Sequence, residues 1–124
     1  MSRKSRVLVV EDDPSVRGLL QTLLTAEGYE VATAADGLAA LQAASATLPA
    51  LVLLDLVMPD LGGARVLERL RDDPVLSQIP VIVVTGHEDA LPDVRAQLGD
   101  DNVFLKPFAV AELLARVDAV TGGP

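Results

Sequence analysis

Polar residues with chemical capacity stand where buried apolar runs of this chain end. Glu11-Asp12-Asp13 follow Val7–Val10, Asp55 follows Leu51–Leu54, Thr85 follows Val81–Val84, and Lys106 follows Val103–Leu105. The stretch LVLLDLVMPD, residues 51–60, poses the problem most sharply, because apolar residues and a proline surround Asp55. An ionised carboxylate in such company is costly unless it is paired or bound. If these ends converge, Glu11, Asp12 and Asp55 bring three negative charges and Lys106 returns one positive charge. Clustered carboxylates do not all stay ionised without a cation. One divalent ion would neutralise the set, and an all-oxygen set selects a hard cation, Mg²⁺ rather than Zn²⁺. Mg²⁺ takes one or two carboxylates plus waters and phosphate oxygens, so the set is incomplete until a phosphoryl group arrives.

The elements that must position these residues alternate. Apolar and β-branched runs predict strands at Arg6–Val10, Glu30–Ala34, Leu51–Leu54, Val81–Val84 and Val103–Leu105. Between them helical spacing predicts helices from Pro14 to Glu27, from Asp36 to about Ser45, from the Gly62-Gly63 pair to about Arg71, from Asp93 to Leu98, and from Val110 to Val120. Pro14 and Pro92 suit first turns, and Gly28 suits a helix stop. Five βα units with short connections demand a parallel sheet covered on both faces, an α/β three-layer sandwich. In the flavodoxin-like strand order 2-1-3-4-5 the order reverses between strands one and three, which carry the acids, and open α/β sheets bind ligands at that point.

Composition narrows the classes further. The chain has 124 residues, one domain's worth, with an ordered core expected over about 6–120 and a linker or boundary at 121–124. Half of the residues are hydrophobic, enough for a core. No cysteine is present, which excludes disulfides and thiolate chemistry. A net charge of −8 argues against direct contact with nucleic acid or an anionic membrane. The basic start MSRKSR is followed by too short an apolar run for a secretory signal, and a cytoplasmic location is expected. Lys4 and Lys106 are the only lysines; Lys4 falls in the N-terminal tail, while Lys106 is flanked by apolar residues.

Taken together, VLVVEDDP at 7–14, LLDLVMPDLGG at 53–63, VIVVTGH at 81–87 and FLKPF at 104–108 resemble the response-regulator receiver domain of two-component signalling, along essentially the whole chain. The resemblance implies that Asp55 is the phosphoacceptor. It implies that Asp12 ligates Mg²⁺ directly, that Glu11 acts mostly through water, and that Asp55 and the backbone carbonyl of Val57 complete the protein ligands, with Mn²⁺ able to substitute. Thr85 resembles the hydroxyl that turns toward the phosphoryl oxygens, and Lys106 the lysine that pairs with Asp55 and then with the phosphoryl group. Lys106-Pro107 resembles a peptide that is usually cis. The implied partners are a histidine kinase or phosphotransfer protein, a downstream output domain, and a second copy across the helix four–strand five–helix five face.

Each residue also has a plainer role. Asp13 before Pro14 is expected to cap the first helix or face solvent. Asp55 alone could be a turn residue before Pro59, Lys106 a surface lysine, and Thr85 a strand-end hydroxyl. The single histidine, His87, is expected exposed at the pocket mouth, where it would affect water access and dephosphorylation. Gly62-Gly63 matches no phosphate-loop pattern and is expected to start the third helix. The chain departs from the family at Val103, where many receivers carry an aromatic switch residue; Phe104 is expected to point to the opposite face of its strand. That departure keeps open a pseudo-receiver, a constitutive interaction module that does not cycle. A flavin-binding electron carrier is disfavoured by the acidic pocket and by the scarcity of aromatics. A haloacid-dehalogenase-like phosphatase expects a second acid where this chain has Val57.

Overall fold

Alternate residues of the central strands face opposite layers of apolar side chains, and this alternation organises the whole molecule. The computed structural model describes residues 5–58 and 61–124; Lys4 and Pro59 lie outside that range. The strands are β1 (Arg6–Val10), β2 (Glu30–Ala34), β3 (Leu51–Leu54), β4 (Val81–Thr85) and β5 (Val103–Leu105). The helices are α1 (Pro14–Glu27), α2 (Gly37–Thr47), α3 (Gly63–Asp72), α4 (Leu91–Leu98) and α5 (Val110–Thr121). All strand pairs are parallel, in the order β2-β1-β3-β4-β5.

One layer packs Leu8, Val10, Val52, Leu54, Val83 and Val103 against α2, α3 and α4. The other packs Val7, Val9, Leu51, Leu53, Ile82 and Val84 against α1 and α5, with Phe104 at its margin. Val103 and Phe104 therefore face opposite layers, as the strand period requires. No helix among the described residues is long and apolar enough to cross a membrane.

The helix ends differ from the sequence reading chiefly at the start of α4 and at both ends of α2. α4 begins at Leu91, two residues before Asp93, because Leu91 and Val94 are both buried against the first layer. α2 continues to Thr47, whose hydroxyl donates to the Ala43 carbonyl at 2.7 Å. Asp36 is its N-cap rather than its first residue, accepting from the Ala39 amide at 2.8 Å. Gly28 ends α1 in the left-handed region (φ 106°), where glycine carries no Cβ penalty. At 121–124, Thr121 closes α5 and meets the Tyr29 hydroxyl at 2.9 Å, and the Gly123 carbonyl accepts from Ser5 Oγ at 2.9 Å. The buried Tyr29 hydroxyl also donates to Asp118. Burial and that carboxylate push the phenol up to about 12.

α2 ends without glycine. Leu48 caps it in the left-handed region (φ 45°, ψ 65°) with its side chain 54% exposed. A left-handed non-glycine residue costs roughly 1–2 kcal/mol, and little burial offsets that here. Leu48→Gly is expected to stabilise the domain by about 0.5–1 kcal/mol, allowing for glycine's greater unfolded-state entropy. Urea denaturation checks this; a lower midpoint would show that Leu48 packs usefully after all.

Candidate functional site

The parallel ladder brings three strand ends to one edge. Asp55 is fixed by its amide, which donates to the Val10 carbonyl at 3.0 Å, so β3's end is tied to β1's end. The Glu11 amide donates to the Ala34 carbonyl at 3.1 Å and extends the β1–β2 ladder by one step. The Lys106 amide donates to the Thr85 carbonyl at 2.8 Å and does the same for β4–β5. Glu11, Asp55 and Lys106 are thus each placed one residue beyond a strand, and Thr85 is the last residue of β4, where the sequence reading had it follow the strand.

Glu11, Asp55 and Thr85 are the buried polar residues among those described. Carboxylate oxygens of Glu11, Asp12 and Asp55 lie within 4.8 Å of one another. Lys106 Nζ sits 2.7 Å from Glu11 Oε1 and 3.4 Å from Asp55 Oδ2. Its tighter partner is therefore Glu11, where the sequence reading paired it with Asp55. The reason is the ladder: Glu11 lies in the sheet edge itself and is 2% exposed, so its charge most needs a partner. Burial holds the Glu11 carboxyl above its usual range, with neighbouring Asp55 adding to the rise and Lys106 opposing it. For Lys106 burial works against the ammonium, but the hydrogen bond to Glu11 and the charges of Asp55 and Glu11 outweigh it and raise the pKa.

Asp55 Oδ1 accepts the Val57 amide at 3.1 Å, which directs Oδ2 toward Lys106. Val57 is 45% exposed beside it. The Thr85 hydroxyl is buried and accepts the His87 amide at 3.1 Å. His87 itself is exposed. Asp13 turns away from the cluster and caps α1, accepting from the Ser15 amide at 2.8 Å. The Lys106-Pro107 peptide is cis. Val103, two strand residues before Leu105, is buried in the α2–α3–α4 layer.

Two positioning features escaped the sequence reading. Arg17 Nη1 donates to the Glu11 carbonyl at 2.9 Å and the Asp12 carbonyl at 3.3 Å. Its only sequence signal was a lone cation one turn into α1. Gly63, read as a helix start, touches the chain beside Asp55: its amide donates to the Leu56 carbonyl at 3.0 Å, and an added Cβ would lie 2.0 Å from the Asp55 carbonyl oxygen.

The family profile described as response regulator receiver domain matches residues 7–118. This chain belongs to the response regulator receiver domain family. Among curated relatives, the receiver is 39% identical over 121 residues to a probable transcriptional regulator ycf27 of Guillardia theta, covering 97% of this chain and 46% of the relative. It is 40% identical over 120 residues to the response regulator PleD of Caulobacter vibrioides, covering 94% of this chain and 26% of that protein. The receiver thus spans less than half the length of these relatives. Among solved structures it is similar to the chemotaxis protein CheY4 of Vibrio cholerae, with TM-score 0.84 and 28% identity over 95% of this chain and 99% of that one. It is also similar to the response regulator TrrA of Thermotoga maritima in complex with Mg²⁺ and BeF, with TM-score 0.83 and 32% identity over 94% of this chain and 98% of that one. The receiver domain is a module of two-component signalling and not a classical enzyme.

The acidic cluster fits a hard divalent cation. Its donors are all oxygen, they lie within one ion's reach of each other, and they carry more negative charge than Lys106 offsets.

Proposed function

We propose that this receiver accepts a phosphoryl group on Asp55 from a phosphohistidine of a sensor kinase or phosphotransfer protein, and that the acyl phosphate switches its conformation. The observation that carries the reading is the Asp55 carboxylate, 6% exposed at the sheet edge, with Oδ1 held by the Val57 amide and Oδ2 facing Lys106. A carboxylate so held is a pre-aimed nucleophile.

Each residue then has a task. Oδ2 attacks phosphorus as the bond from phosphorus to the donor's nitrogen breaks, and the histidine leaves with a proton from solvent. Lys106 moves its ammonium from Glu11 toward the oxygens of the transferring group, where charge is greatest. The Thr85 hydroxyl rotates to donate to one of the same oxygens. Asp12, Asp55, the Val57 carbonyl and, through water, Glu11 would hold Mg²⁺ or Mn²⁺, which supplies positive charge against the phosphoryl oxygens when bound. Attack by water on the aspartyl phosphate later returns the carboxylate and inorganic phosphate, a slow reset that the domain performs on itself. In this reading the exposed His87, two residues after Thr85, affects water access to that bond, and His87→Ala should change the phosphoryl lifetime.

The output is a shift between two conformations read by an output domain or protein, or by a second copy across the α4–β5–α5 face. A sensor-kinase partner implies a cytoplasmic location. Residues 6–120 act as one folding unit in this reading, with a linker or boundary at 121–124. The buried Val103 supports a second reading, a pseudo-receiver, because no aromatic occupies the position that would follow Thr85 inward.

The test is incubation with acetyl phosphate and Mg²⁺ followed by intact mass, beside Asp55→Asn and a chelated control. A gain of one phosphoryl group, absent from both controls, is expected. No gain in the folded wild-type protein would leave the pseudo-receiver as the better reading.

A further inference from the structure

Arg17 makes no ion pair with any carboxylate among the described residues, although three acids lie just before its helix. Its guanidinium is instead turned back along the start of α1 onto the backbone carbonyls of Glu11 and Asp12, at 2.9 and 3.3 Å from Nη1. Those carbonyls belong to the two residues that bring carboxylates to the Asp55 cluster from β1. Glu11 is also held by its amide on the Ala34 carbonyl and by Lys106, so the part of the loop that most needs a tie is Asp12 after it. The Asp13 amide reaches Glu11 Oε2 at 3.3 Å, and the Asp13 side chain is committed to capping α1. Among the described residues, the Asp12 backbone has no hydrogen-bond partner besides Arg17.

We infer that Arg17 is a positioning residue for the cation site: it locks the Glu11-Asp12 peptide so that Asp12 presents its carboxylate beside Asp55. The inference rests on the metal-dependent reading above. It has a sign that separates it from simple electrostatics. Arg17 adds a positive charge close to the cluster, so charge alone predicts that removing it tightens divalent-cation binding. Positioning predicts the opposite, because a freed loop must be ordered each time the ion binds. A charge-assisted hydrogen bond to a carbonyl is also stronger than a neutral one, which favours Arg here over a polar neutral residue.

The experiment titrates Mn²⁺ into wild type, Arg17→Ala and Arg17→Gln, following free Mn²⁺ by electron paramagnetic resonance, with Mg²⁺ as competitor. Arg17→Ala is expected to weaken Mn²⁺ and Mg²⁺ binding about tenfold. Arg17→Gln, which keeps a donor but not the charge, is expected to recover part of the loss. Phosphoryl acceptance from acetyl phosphate in Arg17→Ala should approach the wild-type rate at saturating Mg²⁺, since the reacting groups are untouched. A merely structural role would lower the melting temperature of the metal-free protein without this affinity change. Equal or tighter binding in Arg17→Ala overturns the inference, and if Arg17→Ala does not fold, equal or tighter binding in Arg17→Gln does so. Absence of binding by wild type would instead remove the metal-dependent reading beneath it.

Discussion

Gly63→Ala is expected to destabilise the receiver by roughly 3 kcal/mol and to slow phosphoryl acceptance at Asp55 on the order of a hundredfold. The added Cβ would stand 2.0 Å from the Asp55 carbonyl oxygen, 2.5 Å from Leu56 Cα and 2.8 Å from the Asp55 carbonyl carbon. All three are backbone atoms, so no side chain can rotate away. Either α3 retreats from the sheet, exposing part of the buried stripe of Val66, Leu67 and Leu70, or the segment after β3 moves and carries Asp55 with it. The Asp55 amide is held by Val10, which resists the second route and converts the clash into strain. Gly62→Ser is the control. Its nearest neighbours would be 3.7 Å away, an ordinary contact, and Gly62 caps α3 without any side-chain bond. Serine there should be neutral or stabilising by about a few tenths of a kcal/mol. Denaturation midpoints and acetyl phosphate rates for the two variants check the pair. Wild-type stability and rate in the Gly63→Ala variant would show that α3 slides freely over the acceptor segment.

Lys106→Met should have the second large effect, and its sign changes with the property measured. The ammonium is 2.7 Å from a Glu11 carboxylate that water scarcely reaches. Removing one partner of a buried pair leaves the other uncompensated, at a cost of roughly 3 kcal/mol near neutral pH. The loss is pH-dependent. Glu11 already titrates above its ordinary value of 4.5 through burial and Asp55. A carboxyl raised in the folded state contributes stability that is fully present below the unfolded value and is lost as pH rises through the folded one. Without Lys106 the folded value climbs further, so the variant gains more than wild type as pH falls from 7.5 toward 5. The stability gap between the two proteins should therefore narrow over that interval. Divalent-cation affinity should rise, since a competing positive charge has gone. Phosphoryl acceptance should fall about a hundredfold, the usual loss for one donor to the developing charge. Urea melts at both pH values, with Mn²⁺ titration and intact-mass kinetics, cover all of these outcomes. A gap that stays constant with pH would mean that Lys106 does not shift the titration of Glu11 over that interval.

The fold class and the gathering of the acids and Lys106 at one sheet edge were legible in the linear sequence. Strands buried on both faces are continuous apolar runs, and such runs separated by amphipathic helices admit few arrangements other than a parallel sheet. A polar residue that ends such a run must lie at the carboxyl edge, so Glu11, Asp12, Asp55, Thr85 and Lys106 could be collected before any coordinates. Val103 and Phe104 could be assigned to opposite faces because the strand period is two. Which partner Lys106 prefers was not legible. That depends on the relative burial of Glu11 and Asp55, set by how far each strand extends at the edge. The tasks of Arg17 and Gly63 were hidden for a similar reason. One acts through backbone carbonyls and the other through the absence of an atom, and neither leaves a charge or hydropathy pattern in the chain. The left-handed turn at Leu48 lacks the glycine that marks Gly28, so only the packed end of α2 decided it. Sequence periodicity determined which residues meet at the sheet edge; tertiary packing decided how closely they approach and what holds them there, because contact distances depend on neighbours that periodicity does not specify.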